Sequence, residues 1–140
     1  MHDKDVERKR YDSWASEQLS NDIFIFDQTS SYIYEPYLKY EEFLSEINSN
    51  CKILEIGAGM GENTEFILEL GKNVCATDIS LKSVEVMNKR FIKFKSFNAQ
   101  VADMEKLPFE DNSFDIVCCS GSLSYGDNKI VMNEIYRVLN

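Results

Sequence analysis

From Cys51 onward the chain alternates two textures. CKILEIGAGMG is a compact apolar run of β type that leads directly into three glycines. ENTEFILELGKN follows with helical spacing, closed by Gly71. NVCATD reads as a second short strand. Ser80 is then a good N-cap for a helix carrying Leu81, Val84 and Met87. A third strand is expected over Asn98 to Val101 and a fourth over Phe114 to Cys119. Val131, Ile135 and Val138 recur at i, i+4 and i+7 within Asn128 to Leu139, which predicts a final helix. Strands alternating with helices predict an α/β fold, a parallel sheet joined by right-handed crossovers.

The first fifty residues differ. They contain no glycine and hold five of the seven tyrosines: Tyr11, Tyr32, Tyr34, Tyr37 and Tyr40. Pro36 suits the first position of a helix, and Tyr37, Tyr40, Phe43, Leu44 and Ile47 then fall on one stripe. An earlier helix over Val6 to Leu19 has only a narrow apolar stripe of Tyr11, Trp14 and Ala15. The chain thus divides into residues 1–50, an N-terminal helical lid or packing segment, and residues 51–140, an α/β unit. The aromatic cluster of the first part reads as a seam that holds helices to the sheet.

Length and composition narrow the classes. One domain is the most that 140 residues suggest, and 44% hydrophobic residues suffice for a core. No run approaches the roughly 20 apolar residues needed to cross a bilayer, so no membrane partner is expected. MHDKDVERKRYDSW lacks the apolar stretch of a secretory signal, which makes the cytoplasm the default location. A net charge of -9 argues against a partner held by its phosphate backbone, so nucleic acid is not expected. Cys51, Cys75, Cys118 and Cys119 form no CxxC pair, and three lie in apolar runs, which reads as buried thiols and no metal site. The one histidine, His2, sits where the chain frays, leaving no obvious imidazole base.

The candidate chemistry lies at the glycines. Gly57, Gly59 and Gly61 follow a strand and open a helix, where the backbone can approach a ligand at the carboxyl edge of a sheet. Glu62 stands where a dinucleotide fingerprint wants its third glycine, and Glu55 and Glu62 flank the loop with negative charge. A cationic ligand is better served there than a pyrophosphate. Asp78 ends the second strand 21 positions after Gly57, which suits a carboxylate accepting from two ribose hydroxyls, a feature shared with NAD sites. Asp103 follows the third strand, where it could accept from an adenine amine while Met104 covers the ring. Together these residues offer a site for an adenosine that carries a positive charge.

LEIGAGMGENT, VCATDIS, VADMEKLPFEDNSFDIVCCSGSLSY and NEIYRVLN, in that order, resemble the class I S-adenosylmethionine-dependent methyltransferases over residues 51–140. The resemblance implies a Rossmann-like parallel sheet with flanking helices, preceded here by N-terminal helices. It implies S-adenosylmethionine as cofactor and a small-molecule acceptor that attacks the sulfonium methyl in a direct displacement, with the thioether as leaving group. Glu55, Gly57, Ala58, Gly59 and Gly61 would line the methionine portion, Asp78 with Ile79 the ribose, and Asp103 with Met104 the adenine; Ser120 completes the implied set. The segment Ser120 to Tyr125 would face the methyl group, so Tyr125, Ser120 and Tyr11 are the acceptor-side candidates. No nucleophilic triad can be completed there without a histidine. A cofactor-binding module without turnover and an NAD-dependent oxidoreductase are the alternatives. The family normally continues past RVL into further strands, so the sequence reads as truncated after the fourth strand, with a homodimer expected through the unfinished sheet.

Overall fold

A computed structural model describes residues 4–21, 31–48 and 50–140, and of residues 31–37 the backbone only. His2 and the side chains of Tyr32, Tyr34 and Tyr37 therefore lie outside the described residues. Helices α1 (Lys4–Asn21) and α2 (Ser31–Glu46) precede β1 (Lys52–Ile56), α3 (Glu62–Glu69), β2 (Asn73–Asp78), α4 (Leu81–Arg90), β3 (Phe97–Val101), β4 (Ile116–Cys118) and α5 (Asn128–Val138). A short 3-10 turn, Leu123–Tyr125, lies between the last two.

The four strands form one parallel sheet in the order β3-β2-β1-β4. Side chains of β1 alternate between its two faces, as the two-residue repeat of a strand requires. Ile53 packs with Leu44 of α2, Ile67 and Leu68 of α3, and Val84 and Met87 of α4. Leu54 and Ile56 pack on the opposite face with Leu107, Phe114, and Val131 and Val138 of α5. Helices thus cover both faces, and β1, buried from Ile53 to Ile56, is the centre of the core. Because the chain leaves β1 toward β2 on one side and later returns to β4 on the other, a crevice opens beyond the carboxyl end of β1.

Local signals place the helix ends. The Ser80 side chain accepts the Ser83 amide and caps α4, and Gly71, at φ +70°, follows the end of α3 in the left-handed region. Asp127 caps α5 by accepting the Lys129 and Ile130 amides.

Several expectations need correction. The second helix begins at Ser31 rather than at Pro36, so the proline lies inside its backbone; proline forfeits only one backbone donor, a loss tolerated most easily near a helix start. Leu44 is buried on the core, with Tyr40 and Ile47 partly buried against it, but Phe43 points to solvent, because its position falls beside the Leu44 line of contact. Leu81 is likewise exposed at the first turn of α4. The fourth strand is shorter than expected: Ser113 and Phe114 donate their amides to the Val138 carbonyl, which turns them toward the end of α5 instead of toward β1. The first helix extends beyond its expected ends to Lys4 and Asn21, with Ala15 buried and Trp14 exposed. Of the four thiols only Cys118 is fully buried; the other three are partly exposed. No described helix is long and apolar enough to cross a membrane.

Candidate functional site

The crevice beyond β1 contains a cleft of about 550 Å3, its open mouth included. Its walls come from five places in the chain: the β1–α3 loop (Gly57), the end of β2 (Asp78, Ile79), the turn after β3 (Ala102, Asp103, Met104), the segment after β4 (Ser122, Tyr125) and one face of α1 (Lys4, Glu7, Tyr11).

The loop is shaped by what lies against it. Gly57 and Gly59 have φ of +63° and +59°, where side chains are disfavoured. A Cβ on Gly57 would stand 2.2 Å from the Ser122 hydroxyl oxygen. Ser122 is itself buried, and its hydroxyl donates to the Ile56 carbonyl at 3.1 Å. The close approach of the segment after β4 therefore fixes both the loop and the floor of the cleft.

Asp78 organises the same loop from the next strand. Its Oδ2 accepts the Gly59 amide at 2.9 Å and its Oδ1 accepts the Ser80 amide at 2.8 Å. Each oxygen keeps a further lone pair for a ligand donor. Burial pushes the carboxyl up to about 6, against the pull of those two amides. Asp103 is more open. Its Oδ1 accepts the Glu105 amide at 2.9 Å, and Lys4 Nζ lies 3.1 and 3.0 Å from its two oxygens.

Glu55 differs from its expected place. It is 1% exposed, beneath the loop rather than on the cleft wall, and accepts a 2.6 Å hydrogen bond from Thr64 Oγ1 of α3. Burial pushes it up to about 7. A strand residue of odd parity beside Ile53 must point to the α3 face, which is why Glu55 braces the helix instead of lining the cleft.

Tyr11 and Tyr125 stand on the mouth side. The Tyr11 ring packs edge-on against Trp14 at 5.5 Å between centroids and lies 3.5 Å from where a Cβ on Gly59 would be. Burial raises its phenol above the ordinary value, so at neutral pH the hydroxyl is a donor and not a base. Arg10 Nη2 donates to the Tyr125 hydroxyl at 3.4 Å.

The structure thus brings Gly57, Asp78, Ile79, Asp103, Met104, Tyr11 and Tyr125 together on one cleft. Ala58, Gly59 and Gly61 are buried in the turn that forms its edge, and Ser120 does not line it. Lys4, Glu7 and Ala102 line it without having been singled out as site residues, and of the segment Ser120 to Tyr125 it is Ser122 and Tyr125 that reach it. Nothing local marks Lys4 or Glu7.

Residues 54–140 match the family model described as a methyltransferase domain. The chain belongs to this family. Its parallel sheet with flanking helices is the Rossmann-like fold of the class I methyltransferases. An uncharacterized methyltransferase of Schizosaccharomyces pombe is 34% identical over 94 residues, which cover 66% of this chain and 36% of that protein. The sterol 4-C-methyltransferase of Caenorhabditis elegans is 34% identical over 98 residues, covering 67% of this chain and 29% of its own. Among solved structures, the YcgJ protein of Bacillus subtilis is 26% identical with a TM-score of 0.66, over 74% of this chain and 45% of its own. The chain spans little more than a third of the length of the S. pombe methyltransferase and less of the nematode one.

Proposed function

We propose that the protein transfers the methyl group of S-adenosylmethionine to a small-molecule acceptor. The observation that carries this reading is Asp78, a buried carboxylate at the carboxyl end of β2 that holds the glycine loop with one oxygen and the start of α4 with the other, and lines the cleft with lone pairs to spare. The side chains present fit an adenosine. Asp78 would accept from the ribose hydroxyls and Asp103 from the adenine amine, with Ile79, Ala102 and Met104 as apolar cover and the bare backbone of Gly57 beside the methionine portion.

When bound, S-adenosylmethionine supplies a sulfonium-activated methyl group. The chain's own task is alignment and exclusion of water, since holding donor and acceptor at near-attack distance is the larger part of such a displacement. Tyr11 and Tyr125 border the acceptor side, with Tyr11 a hydrogen-bond donor that orients rather than deprotonates. Residues 1–50 act as lid and packing segment, α1 forming one wall of the cleft. An acidic chain favours a small acceptor over nucleic acid, and the name of the sterol methyltransferase relative accords with that.

Calorimetric titration with S-adenosylhomocysteine, with NADH in parallel, tests the reading. Binding of the former, strongly weakened by Asp78→Ala, is the expected result. Binding of NADH alone would overturn it in favour of a dehydrogenase. Formation of S-adenosylhomocysteine from S-adenosylmethionine in the presence of acceptor candidates separates turnover from binding without chemistry.

A further inference from the structure

The first turns of α1, before Tyr11, meet the cleft through charged and polar contacts. The C-terminal half of the helix is anchored by packing, Ala15 and Leu19 against Met60 and Val86, and by Asp12, whose Oδ1 accepts from Ser80 Oγ at 2.6 Å. Toward its start the helix has no such core. Arg10 pairs with Glu7 at 2.6 Å and reaches Tyr125. Lys4 places its ammonium against both oxygens of Asp103 and also against Glu105 Oε2. Lys4 lines the cleft, so this ammonium stands in the space before Asp103.

We infer that Lys4 is a latch on the adenine end of the cleft: its ammonium pairs with the Asp103 carboxylate and must yield it to the amine of an incoming nucleoside, so that Lys4 sets the affinity of the site. The inference rests on the cofactor reading above. A charged ammonium is a stronger partner for a carboxylate than a neutral aromatic amine, so the latch favours the closed state. It is also weak enough to open. The Lys4 and Asp103 side chains are 29% and 40% exposed, and ion pairs with that much solvent around them are modest and screened by salt. Glu105 offers the displaced ammonium a second carboxylate, so opening requires a swing of one side chain and not the unfolding of the helix.

Binding of S-adenosylhomocysteine to the full chain, followed by calorimetry at low and high salt, tests this with two substitutions. Lys4→Gln, which removes the cation, is expected to bind about two- to fivefold more tightly than the parent protein at low salt, a range set by what exposed ion pairs are worth. The difference should shrink as ionic strength rises. Lys4→Arg, which keeps a cation at the carboxylate, should bind like the parent. Equal or weaker binding by Lys4→Gln, with the parent still binding, would overturn the latch and leave the cofactor reading intact. Absence of binding by the parent and both variants, each melting cooperatively, would overturn the cofactor reading and the latch with it.

Discussion

Ser122 Oγ occupies the place that a side chain on Gly57 would need, 2.2 Å from the missing Cβ. Gly57→Ala therefore incurs two costs: roughly 1–2 kcal/mol for an L-residue in the left-handed region, and about 1–3 kcal/mol for overpacking. The variant is expected to melt well below the parent and to lose affinity for the nucleoside. Relief should be graded. Ser122→Ala leaves a Cβ at 2.4 Å and should not rescue it, whereas Ser122→Gly should recover part of the stability. Thermal melts of the two double variants check the order, and rescue by alanine would contradict it.

Asp78→Asn is a milder change than removal of the side chain, yet it should be nearly as damaging to binding. Both carboxylate oxygens already accept backbone amides, from Gly59 and Ser80. An amide side chain must aim its NH2 at one of these donors, which leaves that N–H without an acceptor and disturbs the loop or the α4 cap. A loss of affinity for S-adenosylhomocysteine of roughly five- to hundredfold is expected, in line with about 1–3 kcal/mol for an orphaned buried donor.

Affinity should also depend on pH through the same residue. Ribose hydroxyls donate, so they favour the ionised carboxylate, whereas burial holds Asp78 up at about 6. Binding of S-adenosylhomocysteine is expected to strengthen from pH 5 to pH 7 with uptake of the nucleoside accompanied by proton release. Calorimetry in buffers of different ionisation enthalpy measures that proton directly, and its absence at pH 6 would count against Asp78 as the acceptor.

Glu55 sets a different pH dependence, that of the fold. Burial holds its proton to about 7, against 4.5 for the ordinary side chain. A proton held more tightly in the folded state stabilises that state at low pH. The contribution is full below about pH 4.5 and is lost as the pH climbs through 7, a difference of about 3 kcal/mol at most by linkage. Glu55→Gln stays neutral and can still accept from Thr64. It should match the parent near pH 5 and melt higher than it at pH 8. Parallel melting curves across that range would show that the parent carries no buried proton there.

Arg137 ties the segment that follows Asp103 to α5. Its guanidinium donates to the carbonyls of Phe109 at 2.7 Å and Leu107 at 3.0 Å, and to Asp111 and Glu134 at 3.0 and 2.8 Å. Acceptors on four residues around one side chain, with Glu134 also taking the Nε hydrogen at 2.8 Å, suit a fork and not a point charge. Arg137→Lys should therefore behave almost like Arg137→Met, lowering the melting temperature and loosening hydrogen exchange over residues 103–111. Full recovery by lysine would mean that charge alone holds the segment.

What the sequence makes legible follows from how local each signal is. The strands KILEI and NVCATD, the Ser80 cap and the Val131–Ile135–Val138 repeat are each decided within a few residues, and they stand where the pattern places them. Asp78, Asp103 and Met104 converge because the order of strands in an α/β sheet brings their carboxyl ends to one edge. The failures are tertiary. Phe114 looks like strand, but the end of α5 takes its amide. Glu55 looks like cleft, but the parity of β1 turns it under the loop. Lys4 belongs to a polar stretch with no apolar face of its own, so its place over Asp103 follows from the docking of the Ala15 end far along the helix.

The position of β1 in the sheet has a consequence for the order of events during synthesis. Ile53 finds its first neighbour at Val74, 21 residues on, and its second at Ile116, 63 residues on. A nascent chain can thus zip β1, β2 and β3 while the other edge of β1 waits bare for a strand still to be made, and contacts of that separation are slow to form. Ser122, which closes the glycine loop, is made later still. A nucleoside can therefore act as a reward for completion only, stabilising chains in which the last-made wall has already joined the first.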